Sequence, residues 1–423
     1  MEPYIRRVID TELDALLPQL PAVALEGPRG VGKTATAERR VRTVFRLDTP
    51  DHRALAGADP TVLLAHPGGV LLDEWQHVPA VWDAVRRAVD DGAGPGSYLL
   101  AGSAVPQNLP THSGAGRIPT LRMRPLALSE RGLTTPTVSL GELIQGRRPA
   151  IQGTTTIRLA DYVEEILASG LPGIRRFTGR ARRLQLDSYL ARLVDRDFEE
   201  QGHPVRRPAL LQRWIAAYAA ASATTATFEA IRAAATSGDG VTPTRPSVLA
   251  YRAVLERLWI LDPVPGWRPS RNHLGRLTES PKHHLADPAL AARLVGVDEQ
   301  ALLGTAPQPT SVRDGTLLGQ LFESLVTLSV RVYAQAAEAT VRHLRTYNGR
   351  HEVDLIVETG AHRVLAVETK LSGTVNDDDV QHLRWLQNEL GDELLDAVVV
   401  TTGSHAYRRP DGVAVVPAAL LGP

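Results

Sequence analysis

The first hundred residues alternate short apolar runs with amphipathic stretches. Residues 22–26 (Ala-Val-Ala-Leu-Glu), 69–74 (Gly-Val-Leu-Leu-Asp-Glu) and 97–103 (Ser-Tyr-Leu-Leu-Ala-Gly-Ser) are brief, nearly continuous apolar segments. Such segments predict strands buried on both faces of a parallel sheet. Residues 134–160 are rich in Thr, Gly and Pro and predict a linker. From Asp161 to about Gly202 the apolar period is helical. Tyr162, Ile166 and Leu167 share one face, and Tyr189, Leu190, Leu193 and Phe198 make another. Three further helices are predicted at 210–222, 227–235 and 246–258, and Trp259 to Val264 reads as a strand. Helices followed by such a strand suggest a winged helix. The last hundred residues predict a helix over 319–330, strands at 341–347, 350–358 and 364–370, a helix over 379–390 and a strand at 397–401.

A chain of 423 residues exceeds one ordinary core, so several domains are expected. The boundaries read as 1–135, 136–208, 209–300 and 301–423. The hydrophobic share of 43% and charged share of 22% are those of a globular protein. No apolar run is long enough for a membrane span. The first residues lack the apolar region of a signal peptide, and cysteine is absent. Both features predict a cytoplasmic protein without disulfides or thiol chemistry.

The net charge is zero, which argues against general attraction to nucleic acid. From Arg117 to Ala217, however, 17 Arg stand against 10 Asp and Glu. That local excess could meet the phosphates of DNA, or could be a solvated helix surface. The cations comprise 44 Arg and only three Lys: Lys33, Lys282 and Lys370. A lysine kept in such a chain marks a place where a compact point charge is wanted and a guanidinium does not serve.

The first of these lysines closes Gly27-Pro28-Arg29-Gly30-Val31-Gly32-Lys33-Thr34, which fits G-x-x-x-x-G-K-[ST] between a strand and a helix. Its backbone N–H groups would cradle the phosphates of ATP. Lys33 would reach the β- and γ-phosphates, and Thr34 would put its hydroxyl on Mg²⁺. Asp73 would hold the same Mg²⁺ through water, and Glu74 would polarise the attacking water. An acidic pair at a strand end can also cap a helix. Ser103 is a candidate γ-phosphate sensor or a strand-end turn. Arg117 is a candidate arginine finger, acting within the chain or in a homo-oligomer.

Lys282 lies in Pro281-Lys-His-His-Leu-Ala-Asp-Pro. An ion pair with Asp287, tying one strand to its neighbour, is expected. His283 and His284 are adjacent, so a strand would send them to opposite faces, away from a shared metal.

Several stretches resemble the prokaryotic AAA-type ATPases that carry an appended domain of unknown function 4143. They are Glu26 to Thr34; Leu47-Asp48 with Asp59-Pro60; Leu72-Asp-Glu-Trp-Gln-His-Val-Pro79; Leu100-Ala-Gly-Ser103; Arg124-Pro-Leu-Ala-Leu-Ser-Glu130; and Gly170-Leu-Pro-Gly173. The resemblance covers nearly the whole chain and implies an AAA-like ATPase domain at the N-terminus. It also makes Lys282 and Asp287 a fixed element of the family.

Asp354 and Glu368-Thr-Lys370 have the spacing of the PD-(D/E)xK nuclease core, and the segment is similar to Holliday-junction-resolvase-like folds. Glu368 and Lys370 are two apart on a strand and share a face. Asp354 would come from the paired strand and Glu323 from the preceding helix, and the helix after the core contains Gln381. Asp354, Glu368 and Glu323 would hold one divalent metal, with Lys370 near its water. In a structural alternative, Arg350 or Arg363 neutralises the carboxylates.

The expected class is α/β: an N-terminal P-loop AAA-like ATPase, a helical and winged-helix middle, and a C-terminal restriction-endonuclease-like domain. ATP hydrolysis with Mg²⁺, coupled to DNA through that last domain, is one expectation. A nucleotide-switched regulatory protein with a silent nuclease fold is the other.

Overall fold

The computed structural model of the chain describes residues 4–104, 114–236, 238, 240–269, 280–304, 315–346 and 349–423. Tyr347, expected to end a strand, and Ser237 and Asp239, between the helices predicted at 227–235 and 246–258, lie outside the described residues.

The N-terminal part is a five-stranded parallel sheet. Its strands are β1 (Ala22–Glu26), β2 (Thr43–Arg46), β3 (Val70–Asp73), β4 (Tyr98–Gly102) and β5 (Thr120–Arg122), in the order β2-β3-β4-β1-β5. Apolar groups leave both faces of β1. Val23 and Leu25 join one core, and Ala22 and Ala24 join another around Trp75 and Trp82. Covering on both faces is what continuous apolar strands require. Because β4 lies between β1 and β3, the loops after all three strands open at one edge of the sheet.

The second sheet has eight strands. They are β7 (Gly153–Thr154), β8 (Gly266–Trp267), β9 (Thr340–Arg345), β10 (Glu352–Glu358), β11 (Val364–Lys370), β12 (Leu394–Thr401), β13 (His405–Arg408) and β14 (Ala414–Pro417). Their order is β7-β13-β14-β12-β11-β10-β9-β8. The linker and the middle of the chain therefore each lend a strand to this sheet. A small pair, β6 (Val138–Ser139) with β15 (Leu421–Gly422), joins the linker to the end of the chain. Helix Gly315–Ala336 packs on the sheet, and one apolar core runs from Val23 through Trp214 and Phe322 to Val398.

In the middle, helices Pro208–Ala220, Phe228–Ala234 and Arg245–Arg257 form where the period placed them. The expected strand at 259–264 does not form. It is replaced by two isolated antiparallel bridges, Leu261 to Leu285 and Val264 to Lys282. Pro263 has no N–H to continue a ladder. Two of the positives on the third helix are occupied. Arg245 lies 3.4 Å from Glu229, and Arg252 lies over the Phe228 ring and 3.6 Å from Glu256. Among the described residues no helix is long and apolar enough to cross a membrane.

Candidate functional site

The P-loop follows β1 and ends in helix Lys33–Ala37. Gly32 caps that helix at φ +105°, a left-handed conformation that a side chain would strain. At Gly27 the constraint is space, since a Cβ there would stand 2.1 Å from the Met123 carbonyl oxygen. The Lys33 side chain is buried and folds back on its own loop. Its ammonium donates to the carbonyls of Gly27 at 2.8 Å and Pro28 at 3.0 Å. Burial lowers the Lys33 pKa to about 8, against the pull of Glu74 and Asp73.

Thr34 donates to Asp73 at 2.9 Å. Burial pushes the Asp73 carboxyl up to about 6, although Thr34 opposes this. The hydroxyl and carboxylate thus meet side by side, a hard-oxygen pair of the kind Mg²⁺ takes beside phosphate. Glu74 leaves β3 in the left-handed region at φ 53°, unusual for a residue with a side chain. That turn aims Glu74 at β4, where Ser103 donates to its Oε2 at 2.7 Å. The Gln76 amide donates to both Glu74 and Ser103.

The structure therefore brings Gly27–Thr34, Asp73, Glu74 and Ser103 to one edge of the sheet. Arg29 turns away from the loop. Its guanidinium pairs with Asp197 at 2.6 Å and Glu200 at 3.2 Å, beside a π-helical turn at 193–197. Arg117 is half-exposed, pairs with Asp90 at 2.8 Å and takes no part in the Glu74–Ser103 cluster.

Sequence reasoning missed three residues here. Gln76 stood in the quoted Asp-Glu-Trp-Gln stretch without a role. Buried Arg7 donates to the Val31 carbonyl of the P-loop and to Arg124, and pairs with Glu130, so it straps the loop to the Arg124–Glu130 segment. Nothing in the pattern around Arg7 marks it. Asp262 is buried among Arg122 and Arg124 of the first sheet's edge and Arg331 of the long helix, at 2.9 to 3.0 Å. Burial alone would raise its pKa, but the three guanidiniums hold it far below the usual carboxylate range.

The C-terminal cluster assembles with one change of cast. Antiparallel β10 and β11 register Leu355 with Val367, which sets Asp354 across from Glu368. Lys370 reaches Glu368 at 3.0 Å, as their shared face predicts. The Asp354 Oδ2 accepts from the Thr369 N–H at 2.8 Å and from its hydroxyl. Glu323 enters from helix Gly315–Ala336.

The cation between these acids is Lys282, 1% exposed, with its ammonium 2.8 Å from Glu323, 3.1 Å from Asp354 and 3.3 Å from Glu352. This overturns the expected pair of Lys282 with Asp287. Asp287 instead caps helix Pro288–Val295 and accepts from Ser169 and Gly170. It also replaces Arg350 and Arg363 as the neutralising cation. The bridge of Lys282 to Val264 carries the side chain inward, where one ammonium meets three carboxylates. His283 and His284 do diverge, to the Ala226 carbonyl and to Ser324. Burial and Asp354 push Glu323 and Glu368 each up to about 8, whereas Lys282 and Thr369 outweigh burial at Asp354 and lower it. Among the described residues no group of three or more His, Cys, Asp or Glu is disposed to hold a metal ion.

Family models match an AAA domain at residues 19–131, a domain of unknown function (DUF8612) at 159–301 and a domain of unknown function (DUF4143) at 318–421. The uncharacterized proteins Rv2008c of Mycobacterium tuberculosis and Mb2031c of Mycobacterium bovis are each 26% identical to the chain over 429 residues. The match covers 98% of this chain and 83% of theirs. A Walker-type ATPase of Pyrococcus abyssi superposes with a TM-score of 0.39 at 17% identity, over 70% of this chain and 98% of that one. The chain thus joins an AAA domain to a DUF4143 domain, the combination that its motifs resemble.

Proposed function

We propose that this chain binds ATP with Mg²⁺ at the P-loop, hydrolyses the γ-phosphate bond, and acts as a nucleotide-switched regulatory or interaction protein. The observation that carries this is the convergence of Lys33, Thr34, Asp73, Glu74 and Ser103 at one edge of the first sheet. Backbone N–H groups of Gly27 to Thr34 take the phosphates. Lys33 trades its two carbonyl partners for phosphate oxygens and gains far more Coulomb energy in doing so. Thr34 and Asp73 are the side chains that would hold Mg²⁺, which neutralises phosphate charge when bound. Glu74 takes up or orients the proton of the attacking water, with Ser103 and Gln76 fixing its carboxylate. Arg117, half-exposed and paired with Asp90, would serve a neighbouring copy once it leaves that partner.

A second reading couples this cycle to DNA. What favours it is the surface around helix Gly179–Arg192, where Arg176, Arg180, Arg183 and Arg192 are all exposed. One assay tests both readings: phosphate release by the purified chain, with and without duplex and single-stranded DNA. ATP turnover that DNA leaves unchanged supports the switch. Stimulation by DNA that weakens with salt supports coupling. No turnover and no nucleotide binding in any condition would overturn the ATPase assignment.

A further inference from the structure

We infer that Lys282 is the resident cation of the C-terminal carboxylate site. Its ammonium stands in for a divalent metal, so the intact chain holds no metal there. This is independent of the ATPase reading. An ammonium has three protons to donate. Lys282 donates to Glu323 at 2.8 Å and Asp354 at 3.1 Å, and its ammonium is ion-paired with Glu352 at 3.3 Å. The backbone fixes the donor, since Lys282 and Val264 exchange both main-chain hydrogen bonds at 2.9 Å.

Four of the oxygens a metal would take are already engaged. Oδ1 of Asp354 and Oε1 of Glu323 face Lys282, and Oδ2 of Asp354 faces Thr369. Oε1 of Glu368 faces Lys370. Oε2 of Glu368 is buried without a hydrogen-bond partner among the described residues, a lone acceptor left in the pocket. Mg²⁺ takes one or two carboxylates and completes its octahedron with water, but here two ammoniums already stand among the carboxylate oxygens, and a dication would have to displace them. The donor set does not fit the metal expected from the Asp and Glu-x-Lys spacing. It fits an internal salt bridge in the metal's place. Such a bridge also explains why lysine survives here in an arginine-rich chain. A guanidinium is planar and forked, whereas a point charge serves three convergent carboxylates.

The inference carries a converse. Removing the ammonium frees Glu323, Asp354 and Glu352 around one cavity, and mutual repulsion then makes that cavity a cation site. The test uses full-length protein without nucleotide, titrated with Mn²⁺ and followed by electron paramagnetic resonance and thermal unfolding. Expected is no Mn²⁺ site in the wild type that Asp354→Asn removes. Lys282→Ala should gain one site, with Mn²⁺ affinity raised at least tenfold and an unfolding midpoint that rises on adding Mn²⁺. Adding Asp354→Asn to Lys282→Ala should abolish the gain. Lys282→Gln, which keeps a donor, serves if Lys282→Ala does not fold. A wild-type Mn²⁺ site lost in Asp354→Asn would overturn the inference, as would a folded Lys282 variant that gains none.

Discussion

Two lysines are buried beside carboxylates in this molecule, and they are opposites. Among the described residues, Lys33 has only backbone carbonyls of its own loop as hydrogen-bond partners. Lys282 is ion-paired with three carboxylates and hydrogen-bonded to two of them. Burial lowers the Lys33 pKa to about 8. The same burial acts on Lys282, but Asp354, Glu323 and Glu352 outweigh it and drive its pKa well above the ordinary value. The first ammonium is under-compensated and poised for an anionic ligand. The second already has its anions and leaves nothing for a ligand to gain. Burial and residue type are therefore poor guides to a ligand site. What decides is whether the charge has been answered from within the fold.

The largest effects should come from the under-compensated site. Lys33→Ala should lower ATP affinity by at least about 100-fold in a fluorescent-nucleotide titration, because its ammonium has no substitute in the loop. Glu74→Gln should retain binding and lose turnover by about 10²- to 10⁴-fold, as removal of a general base does. Unchanged turnover would remove Glu74 from its role. Arg117→Ala should slow turnover by up to about 10³-fold if a neighbouring copy uses it. Mixing it with Glu74→Gln protein should then restore part of the rate. Full activity of Arg117→Ala alone would remove that role.

The comparison predicts opposite stability effects for one substitution at the two lysines. Lys282→Met leaves three carboxylates facing one another in a buried pocket and should cost about 3–5 kcal/mol in denaturant unfolding. Lys33→Met removes a poorly compensated charge, and should leave the nucleotide-free protein unchanged or more stable. Equal losses at the two positions would break the distinction.

Much of this was legible in the sequence, for identifiable reasons. The P-loop and its acids lie on local patterns, a glycine spacing and an apolar strand ending in Asp-Glu, so Lys33, Thr34, Asp73 and Glu74 could be placed by reading along the chain. Glu368 and Lys370 followed from the two-residue period of a strand, and Asp354 from hairpin pairing. The role of Lys282 was not legible. It depends on a bridge with Val264 and on a helix beginning beyond position 310, and neither contact has a local signature. The rarity of lysine did single the residue out, but its partner was sought five residues away at Asp287 when it lay across the fold. Arg7 and Asp262 were hidden for the same reason, since the partners named above are 24 to 140 positions distant. The failed strand at 259–264 shows local propensity yielding to Pro263, which has no N–H to continue a ladder.

The smallest predicted effect is also the most selective, because stability and binding should move in opposite directions with pH. Lys33 titrates near 8 in the folded, nucleotide-free chain and at the ordinary lysine value of 10.5 when unfolded. Between those values the unfolded chain binds more protons, so the destabilisation caused by Lys33 fades as pH rises through that window. Phosphate binding needs the charged form, so ATP affinity should fall over the same window, by about tenfold at pH 9 relative to pH 7. Calorimetry at pH 8.5 in buffers of different ionisation enthalpy should detect proton uptake on binding. Asp73, titrating near 6, sets the acid limit, and Mg²⁺-dependent affinity should weaken below that pH. Lys282 contributes nothing in this range. Its raised pKa keeps it charged, and its stabilisation is complete below 10.5 and lost only at a higher pH. Lys33→Met should therefore abolish the alkaline rise in stability, and Lys282→Met should leave it in place. Persistence of that rise in Lys33→Met would assign the titration to another group and remove the electrostatic contrast between the two lysines.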